Sequence, residues 1–387
     1  MATQPERQML KVRYIGPFGQ ATGYGRACGD NLLALHQTGQ VELDIQLIMD
    51  FDRSKLEPQY ECLLPFVEQA PDSMSWADVH VVHTIPFGCK RYCEGNLKPA
   101  DGVKKIAITT WETNRLRPDI ALELKTTFDK VIVPCKQNQS AFNNSGISQV
   151  AVVPHGFDPA RWPWRDRTNK DVYTFGWLGE WSYRKNPVGV ILSYLAEFTA
   201  ADPVRLIIKT NRKDAPEAIR SIKAGMYLDL TPPIEVVTDR LSGPDLIDLH
   251  HDIDCYVSLH RGEGFALGAF ESVITGANML YTNFGGPCEF STAKDQPIKF
   301  ASTPAWLPEE KILDEISGMP IIRVSRIGPT GIDGKQFWAE PRLDDAMFYL
   351  RRMFLDKKRK SAWAREYYET RFSFKAIGAQ LLKELCA

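Results

Sequence analysis

Two carboxylates, Glu263 and Glu271, stand seven residues apart in the run 254–276, D-C-Y-V-S-L-H-R-G-E-G-F-A-L-G-A-F-E-S-V-I-T-G. The apolar pattern predicts a strand ending near His260, a turn bracketed by Gly262 and Gly264, and a helix from about Ala266 that stops at Gly276 as its C-cap. A strand, a tight turn and a helix start make an anion site. The first backbone N–H groups, from Gly264 through Phe265 and Ala266 to Leu267, point outward, and the helix dipole is positive there. Glu263 lies on the turn and suits sugar hydroxyls. Glu271 lies in the second helical turn and suits two ribose hydroxyls, because a carboxylate only accepts hydrogen bonds. Spacing alone allows the plainer alternative that Glu263 caps the helix and Glu271 is solvated.

A cation pair, Arg184 and Lys185, follows another predicted strand that ends at Leu178. A departing nucleotide diphosphate gains negative charge, and fixed cations beside it stabilise that charge. The plainer reading is a solvated pair at a helix start. After the first strand comes Gly16-Pro-Phe-Gly19-Gln-Ala-Thr-Gly23-Tyr-Gly25, whose glycines, Gly19 among them, let backbone approach a ligand closely. An ordinary flexible loop has the same composition.

The elements that must position these residues alternate along the chain. Apolar runs at 12–15, 43–49, 79–83, 106–109, 131–134 and 150–153 read as buried strands, with helical patterns at 31–35 and 120–124. A turn-rich, charged stretch, 154–170, reads as a linker. A second alternation follows at 173–178, 206–210, 234–237, 255–259 and 279–282. The expected fold class is α/β, two Rossmann-like doubly wound parallel-sheet domains facing across a cleft. The expected extents are 1–160 for the first domain, 161–370 for the second and 371–387 for a terminal helix. Ser373 is that helix's N-cap, and Phe374, Ile377, Leu381 and Leu385 share one face.

A chain of 387 residues buries a large core without disulfides or metal staples. Net charge of -1 offers no global attraction to nucleic acid or anionic membrane. No run approaches ~18 consecutive apolar residues, and residues 1–10 lack a signal-like apolar stretch, so a cytoplasmic protein without a transmembrane segment is expected. The eight cysteines are scattered without zinc-site spacing and read as reduced thiols.

The run 254–276 resembles the E-x7-E signature of glycosyltransferase family 4. Three further segments resemble that family in the same order: 131–158, closing the first domain; 173–186, the first strand and cation loop of the second; and 280–290, with Gly285, Gly286 and Glu289. The resemblance implies a GT-B architecture whose terminal helix packs back toward the first domain. It implies retention of configuration and a nucleotide-diphosphate sugar, UDP-linked, as co-substrate, with no other cofactor and no metal. Lys185, Arg184 and Glu263 would act at the reacting centre. Gly19, the stretch Gly264-Phe265-Ala266-Leu267, Glu271 and Val237 would hold the donor. The family places an arginine about five residues before the lysine, where this chain has Glu180. It places a histidine in the first domain where this chain reads Thr109-Thr110-Trp111-Glu112. The acceptor-side candidates are His83, Trp111, Glu112 and Arg115, together with Lys90-Arg91-Tyr92 and Arg117. Aromatic and basic groups of this kind serve a glycan, a small molecule such as a phenol, a lipid-linked sugar or an extruded, hydroxymethylated DNA base. No carboxylate of the first domain stands out as a nucleophile. The expected course is therefore departure and attack on one face of the sugar.

Gly23-Tyr-Gly25-Arg-Ala-Cys28 nearly spells a dinucleotide fingerprint but starts well after its strand and ends in Cys. Asp50-Phe-Asp52 and Asp252-Ile-Asp254 fit the short acidic pattern of metal-dependent transferases, which is common by chance. A nucleotide-sugar-binding protein or a sugar-nucleotide epimerase on the same architecture would keep Glu263, Glu271 and Lys185.

Overall fold

The computed structural model describes residues 9–67, 76–167, 170–227, 230–305, 335–357 and 360–387, with short pieces between 306 and 334. Residues 1–8, within the stretch read as lacking a signal, and the 168–169 part of the linker lie outside the described residues.

The chain divides into two compact units. The first comprises the described residues of 1–111, 115–161 and 369–387; the second comprises those of 112–114 and 162–368. The first unit is built on a six-stranded sheet in the order β2-β1-β3-β4-β5-β6: β1 (Leu10–Gly16), β2 (Val41–Leu47), β3 (Val79–His83), β4 (Lys104–Ile108), β5 (Lys130–Val133) and β6 (Val150–Val152). Every neighbouring pair is parallel. Crossovers include α1 (Gly23–His36), capped by the Thr22 hydroxyl accepting from Gly25 N, then α2 (Pro118–Thr127) and α3 (Lys136–Asn143). Strands β1 and β3 are buried almost throughout, as strands covered on both faces must be.

One helix of this unit comes from far along the chain. Helix α11 (Phe374–Cys386) is capped by Ser373, and Phe374, Ile377, Leu381 and Leu385 join the core around Val12, Leu32 and Val81. A Cβ on Gly378 would stand 2.2 Å from Ala34 O, so glycine lets α11 lie close against α1. Phe157 exchanges backbone hydrogen bonds with Phe372 and Phe374, fixing the start of α11.

The second unit has six parallel strands in the order β12-β11-β10-β7-β8-β9: β7 (Tyr173–Leu178), β8 (Val204–Lys209), β9 (Ile234–Val237), β10 (Cys255–Ser258), β11 (Asn278–Thr282) and β12 (Gln296–Ile298). Here too each neighbouring pair is parallel. Its connections include α4 (Pro187–Glu197), α5 (Ala215–Gly225), α6 (Gly243–Asp252), α7 (Leu267–Ile274) and α8 (Pro287–Phe290). Helix α9 (Leu343–Asp356) packs Ala346, Leu350 and Met353 into the core that holds Phe175, Val257 and Leu280. The chain leaves it through α10 (Ala362–Phe372).

Counted from β7, this is the doubly wound order 3-2-1-4-5-6. Strand order reverses between β7 and β10, and in open α/β sheets ligands bind beyond the carboxyl ends of the strands at such a switch point. The segments leaving those two ends carry Arg184-Lys185 and Glu263.

The expected strands coincide with observed ones to within two residues at their ends. The local pattern did not announce β12, helix α10 or the antiparallel pair Phe300–Pro304 with Phe337–Pro341. Strand β12 is only three residues long, too short to show a period.

Candidate active site

The switch point of the second unit gathers two cations and two carboxylates. After β7 the chain turns through Asn186, in the left-handed region at φ 53, and enters α4. The Asn186 side chain does two jobs. Its oxygen accepts from Gly189 N at 3.1 Å, and its amide donates to Leu259 O at 2.8 Å. The cation loop is thus bolted to the end of β10. Lys185 Nζ reaches Glu263 Oε1 at 2.9 Å, and Arg184 Nη1 lies 3.3 Å from Glu263 Oε2. Arg184 also donates to Gly262 O at 2.7 Å and lies 3.7 Å from Glu112.

Glu263 is only 9% exposed. Burial alone would raise its pKa, but Lys185, Arg184 and His260 outweigh it and hold the carboxyl at about 2. It is an anion at any physiological pH, which removes it as a general acid. Glu180, at the position where the family resemblance expects an arginine, is exposed, and Arg184 is the arginine that contacts Glu263.

The turn itself is held by backbone packing that only glycine permits. A Cβ on Gly262 would stand 2.3 Å from Glu112 O. One on Gly285, at φ +71, would stand 2.6 Å from Glu263 O, and one on Gly286 would stand 2.2 Å from Phe265 Cα. Gly286 N donates to Glu263 O at 2.9 Å. Arg261 pairs with Glu340 through Nε and Nη2, at 2.5 and 2.8 Å, and donates to Tyr183 O, tying the turn to the strand Phe337–Pro341. Ala266 stands at φ +72 immediately before α7 and gives that helix no side-chain cap.

The remaining donor-side residues take distinct positions. Phe265 turns its ring into a cluster with Phe270 and Phe290. Leu267 opens α7. Glu271 is buried in α7 and is not solvated: His250 Nε2, from α6, lies 3.2 Å from its Oε2, and His250 Nδ1 lies 2.8 Å from Ser272 Oγ. Val237 ends β9 and lines, with Leu241, a cavity of about 620 Å3 between α6 and residues 165–170. Neither Glu271, Glu263 nor Lys185 lines that cavity.

In the first unit, Gly19 stands at φ +77 with the Phe51 ring 2.4 Å from where a Cβ would be. His83 is 2% exposed, and its Nδ1 lies 2.7 Å from the Tyr14 hydroxyl. Burial, helped by His155, lowers its pKa to about 3, so it is neutral. Trp111 is 4% exposed; its indole donates to Arg115 O and its backbone N–H to Asn138. His83 and Trp111 are spent inside the unit, whereas Arg115 is exposed. Lys90 pairs with Glu94, Arg91 stacks on Tyr92, and Arg117 pairs with Asp119. Glu112 is different. With Thr113 and Asn114 it belongs to the second unit, and Asn114 exchanges hydrogen bonds with Phe337 backbone at 2.9 and 2.7 Å. Glu112, expected on the acceptor side, stands with its carboxylate beside Arg184.

The short acidic patterns have structural employment. Asp52 caps a 3-10 turn through Ser54, Asp252 pairs with Arg205 and Lys170, and Asp254 accepts from Thr174 N. Among the described residues no group of three or more His, Cys, Asp or Glu side chains is placed to hold a metal. No described helix is long and apolar enough to cross a membrane.

Sequence reasoning missed His250 and His260. His260 is 1% exposed, and neither ring nitrogen has a hydrogen-bond partner among the described residues. Leaving such a group unpaired costs about 1–3 kcal/mol.

No protein-family model matches the chain, and no curated protein matches it by sequence. Solved structures do match it in shape. HepE of Anabaena, solved in complex with UDP and glucose, superposes with a TM-score of 0.63 at 12% identity, covering 97% of this chain and 99% of that one. The fold is GT-B. The apo lipopolysaccharide outer core galactosyltransferase WaaB matches this GT-B chain at TM-score 0.62 and 11% identity, covering 97% and 99%. Sucrose-phosphate synthase from Thermosynechococcus elongatus matches at 0.60 and 12%, covering 97% and 98%.

Proposed function

We propose that this GT-B chain is a glycosyltransferase that moves a sugar from a UDP-linked donor to a hydroxyl acceptor with retention of configuration. The observation that carries the reading is the meeting of Lys185, Arg184 and Glu263 at the N-terminus of α7, at the switch point of the second sheet. A diphosphate needs fixed cations and a helix start; a sugar needs a hydrogen-bond acceptor beside them. The GT-B neighbour HepE was solved with UDP-glucose, which favours a UDP-linked donor.

In the proposed reaction the bond between the anomeric carbon and the β-phosphate oxygen breaks. The acceptor oxygen bonds to that carbon from the same face, and its proton passes to the departing phosphate oxygen. Lys185, Arg184 and the first turn of α7 hold the growing negative charge, and Glu263 orients the sugar. Glu271 holds the ribose, with the base near Val237. The protein's work is electrostatic and positional. Residues 1–160 would supply the acceptor side and 161–370 the donor side.

The test offers UDP-glucose, UDP-galactose and UDP-N-acetylglucosamine with a panel of glycan, phenolic and hydroxymethylated-DNA acceptors. UDP release that depends on acceptor, with a product whose anomeric NMR coupling matches the donor's, is expected. An inverted product removes the mechanism. Failure of UDP and all three sugar nucleotides to raise the melting temperature removes the donor assignment.

A further inference from the structure

A buried imidazole with two unsatisfied nitrogens stands three residues before Glu263, close enough to Glu263, Arg184 and Lys185 to feel their charges. His260 follows β10 by two residues, on the strand whose Tyr256 hydroxyl donates to Leu178 O. Strand alternation puts Tyr256, Ser258 and His260 on one face, and a Cβ on Gly268 in the first turn of α7 would lie 3.2 Å from that Tyr256 hydroxyl. His260 is therefore on the α7 side of the sheet, at the edge from which Glu263 and Lys185 project. Burial keeps its ring neutral, with Glu263 on one side of the balance and Arg184 and Lys185 on the other.

A neutral imidazole carries one N–H donor and one bare nitrogen that accepts. A diphosphate offers acceptor oxygens alone and satisfies one of the two. Sugar hydroxyls both donate and accept, and satisfy both. We propose that His260 is a specificity-determining residue that hydrogen-bonds hydroxyls of the donor's sugar, beside Glu263. This inference rests on the donor-site reading above. It also explains why an unpaired polar side chain is kept in a fully buried position: native proteins hold such groups where function uses them.

The experiment compares UDP with UDP-glucose, UDP-galactose and UDP-N-acetylglucosamine, measuring dissociation constants by calorimetry for wild type, His260→Leu and His260→Asn. For the sugar nucleotide that wild type binds tightest, His260→Leu should weaken binding roughly tenfold or more, the discrimination expected of a polar contact inside a closed site. UDP binding should stay within about twofold, and melting without ligand should be unchanged or higher, since an apolar side chain removes the unpaired nitrogens. Equal losses for UDP and the sugar nucleotide, or no loss for either, overturn the inference while leaving the donor site standing. If wild type binds none of the four, the donor-site reading itself falls. A second readout covers a His260→Leu chain that fails to fold. In protein labelled with 15N-histidine, the His260 signals are identified by their loss in His260→Asn. They should move on adding the sugar nucleotide and stay in place with UDP. Movement with UDP alone overturns the sugar contact.

Discussion

Lys185 Nζ stands 2.9 Å from Glu263 Oε1, so the cation proposed for the leaving group and the carboxylate proposed for the sugar are partners in one ion pair. A diphosphate that reaches Lys185 meets a charge already oriented by the protein. Lys185→Ala keeps Glu263 neutralised through Arg184 at 3.3 Å, so the fold should survive. Its kcat should fall roughly 100-fold or more, the worth of one preorganised charge contact. Rates of UDP release measure this. An unchanged kcat in a folded variant ends the assignment.

Glu112 brings a second carboxylate to Arg184, at 3.7 Å. On the same-face course its role is to balance charge, so Glu112→Gln should retain activity within roughly tenfold. Loss beyond roughly 1000-fold, with a sugar adduct on Glu112 in the intact mass of wild type, would replace that course by a double displacement.

His250 holds Glu271 by its Nε2 at 3.2 Å while Ser272 fixes the other ring nitrogen. Glu271→Ala and His250→Phe should each raise donor KM roughly tenfold, about the 1.5–3 kcal/mol of a charge-assisted hydrogen bond, and leave kcat nearly alone. The double variant should be no worse than Glu271→Ala, because both changes remove one contact. Full additivity in initial-rate measurements would separate the two residues.

Gly286→Ala would force a methyl to within 2.2 Å of Phe265 Cα, which is backbone and cannot step aside. The expected cost is about 1–3 kcal/mol of stability together with a displaced Glu263 turn. Thermal melts and donor binding read both effects. A variant that matches wild type in each would show that the loop after β11 does not hold the turn.

Acid should weaken the fold in two successive windows. Burial lowers the pKa of His80 to about 4, of His83 to about 3 and of His155 to about 4, from 6.5. The unfolded chain takes up these protons near pH 6.5 and the folded chain refuses them, so stability declines from about 6.5 down to these values. Glu263, depressed from 4.5 to about 2, contributes stability above 4.5 that is lost between 4.5 and 2. Melting temperature against pH should therefore fall steadily below 6.5, with a shallower slope from 6.5 to 4 in His83→Gln. A melting maximum near pH 5 would contradict this.

The sheets were legible because parallel strands buried on both faces are written as apolar runs, as in Val79–His83 and Tyr173–Leu178. The turn between β10 and α7 was legible because Gly262 and Gly264 punctuate it. The partnerships were not legible. His250 meets Glu271 across 21 residues of sequence, and Asn186 meets Leu259 across 73. Nothing in the local spacing of either announces the other. Glu112 illustrates the same limit from the opposite side: it lies among residues of the first unit in sequence and beside Arg184 in space. A lone histidine such as His260 carries no period at all. Only its burial and its unpaired nitrogens mark it out.

The position of α11 has a consequence for how the protein is made. Phe374, Ile377, Leu381 and Leu385 are part of the same core as Val12 and Leu32, although more than 340 residues of chain separate them. The ribosome delivers β1 to β6 first, and the second unit next, while the seat for α11 against α1 still exposes apolar surface. The second unit, bounded by residues emerging in one nearly unbroken stretch, can close before the first. Synthesis order and completion order are thus inverted. The nascent first sheet must stay soluble, or be shielded by a chaperone, until α11 emerges and covers it.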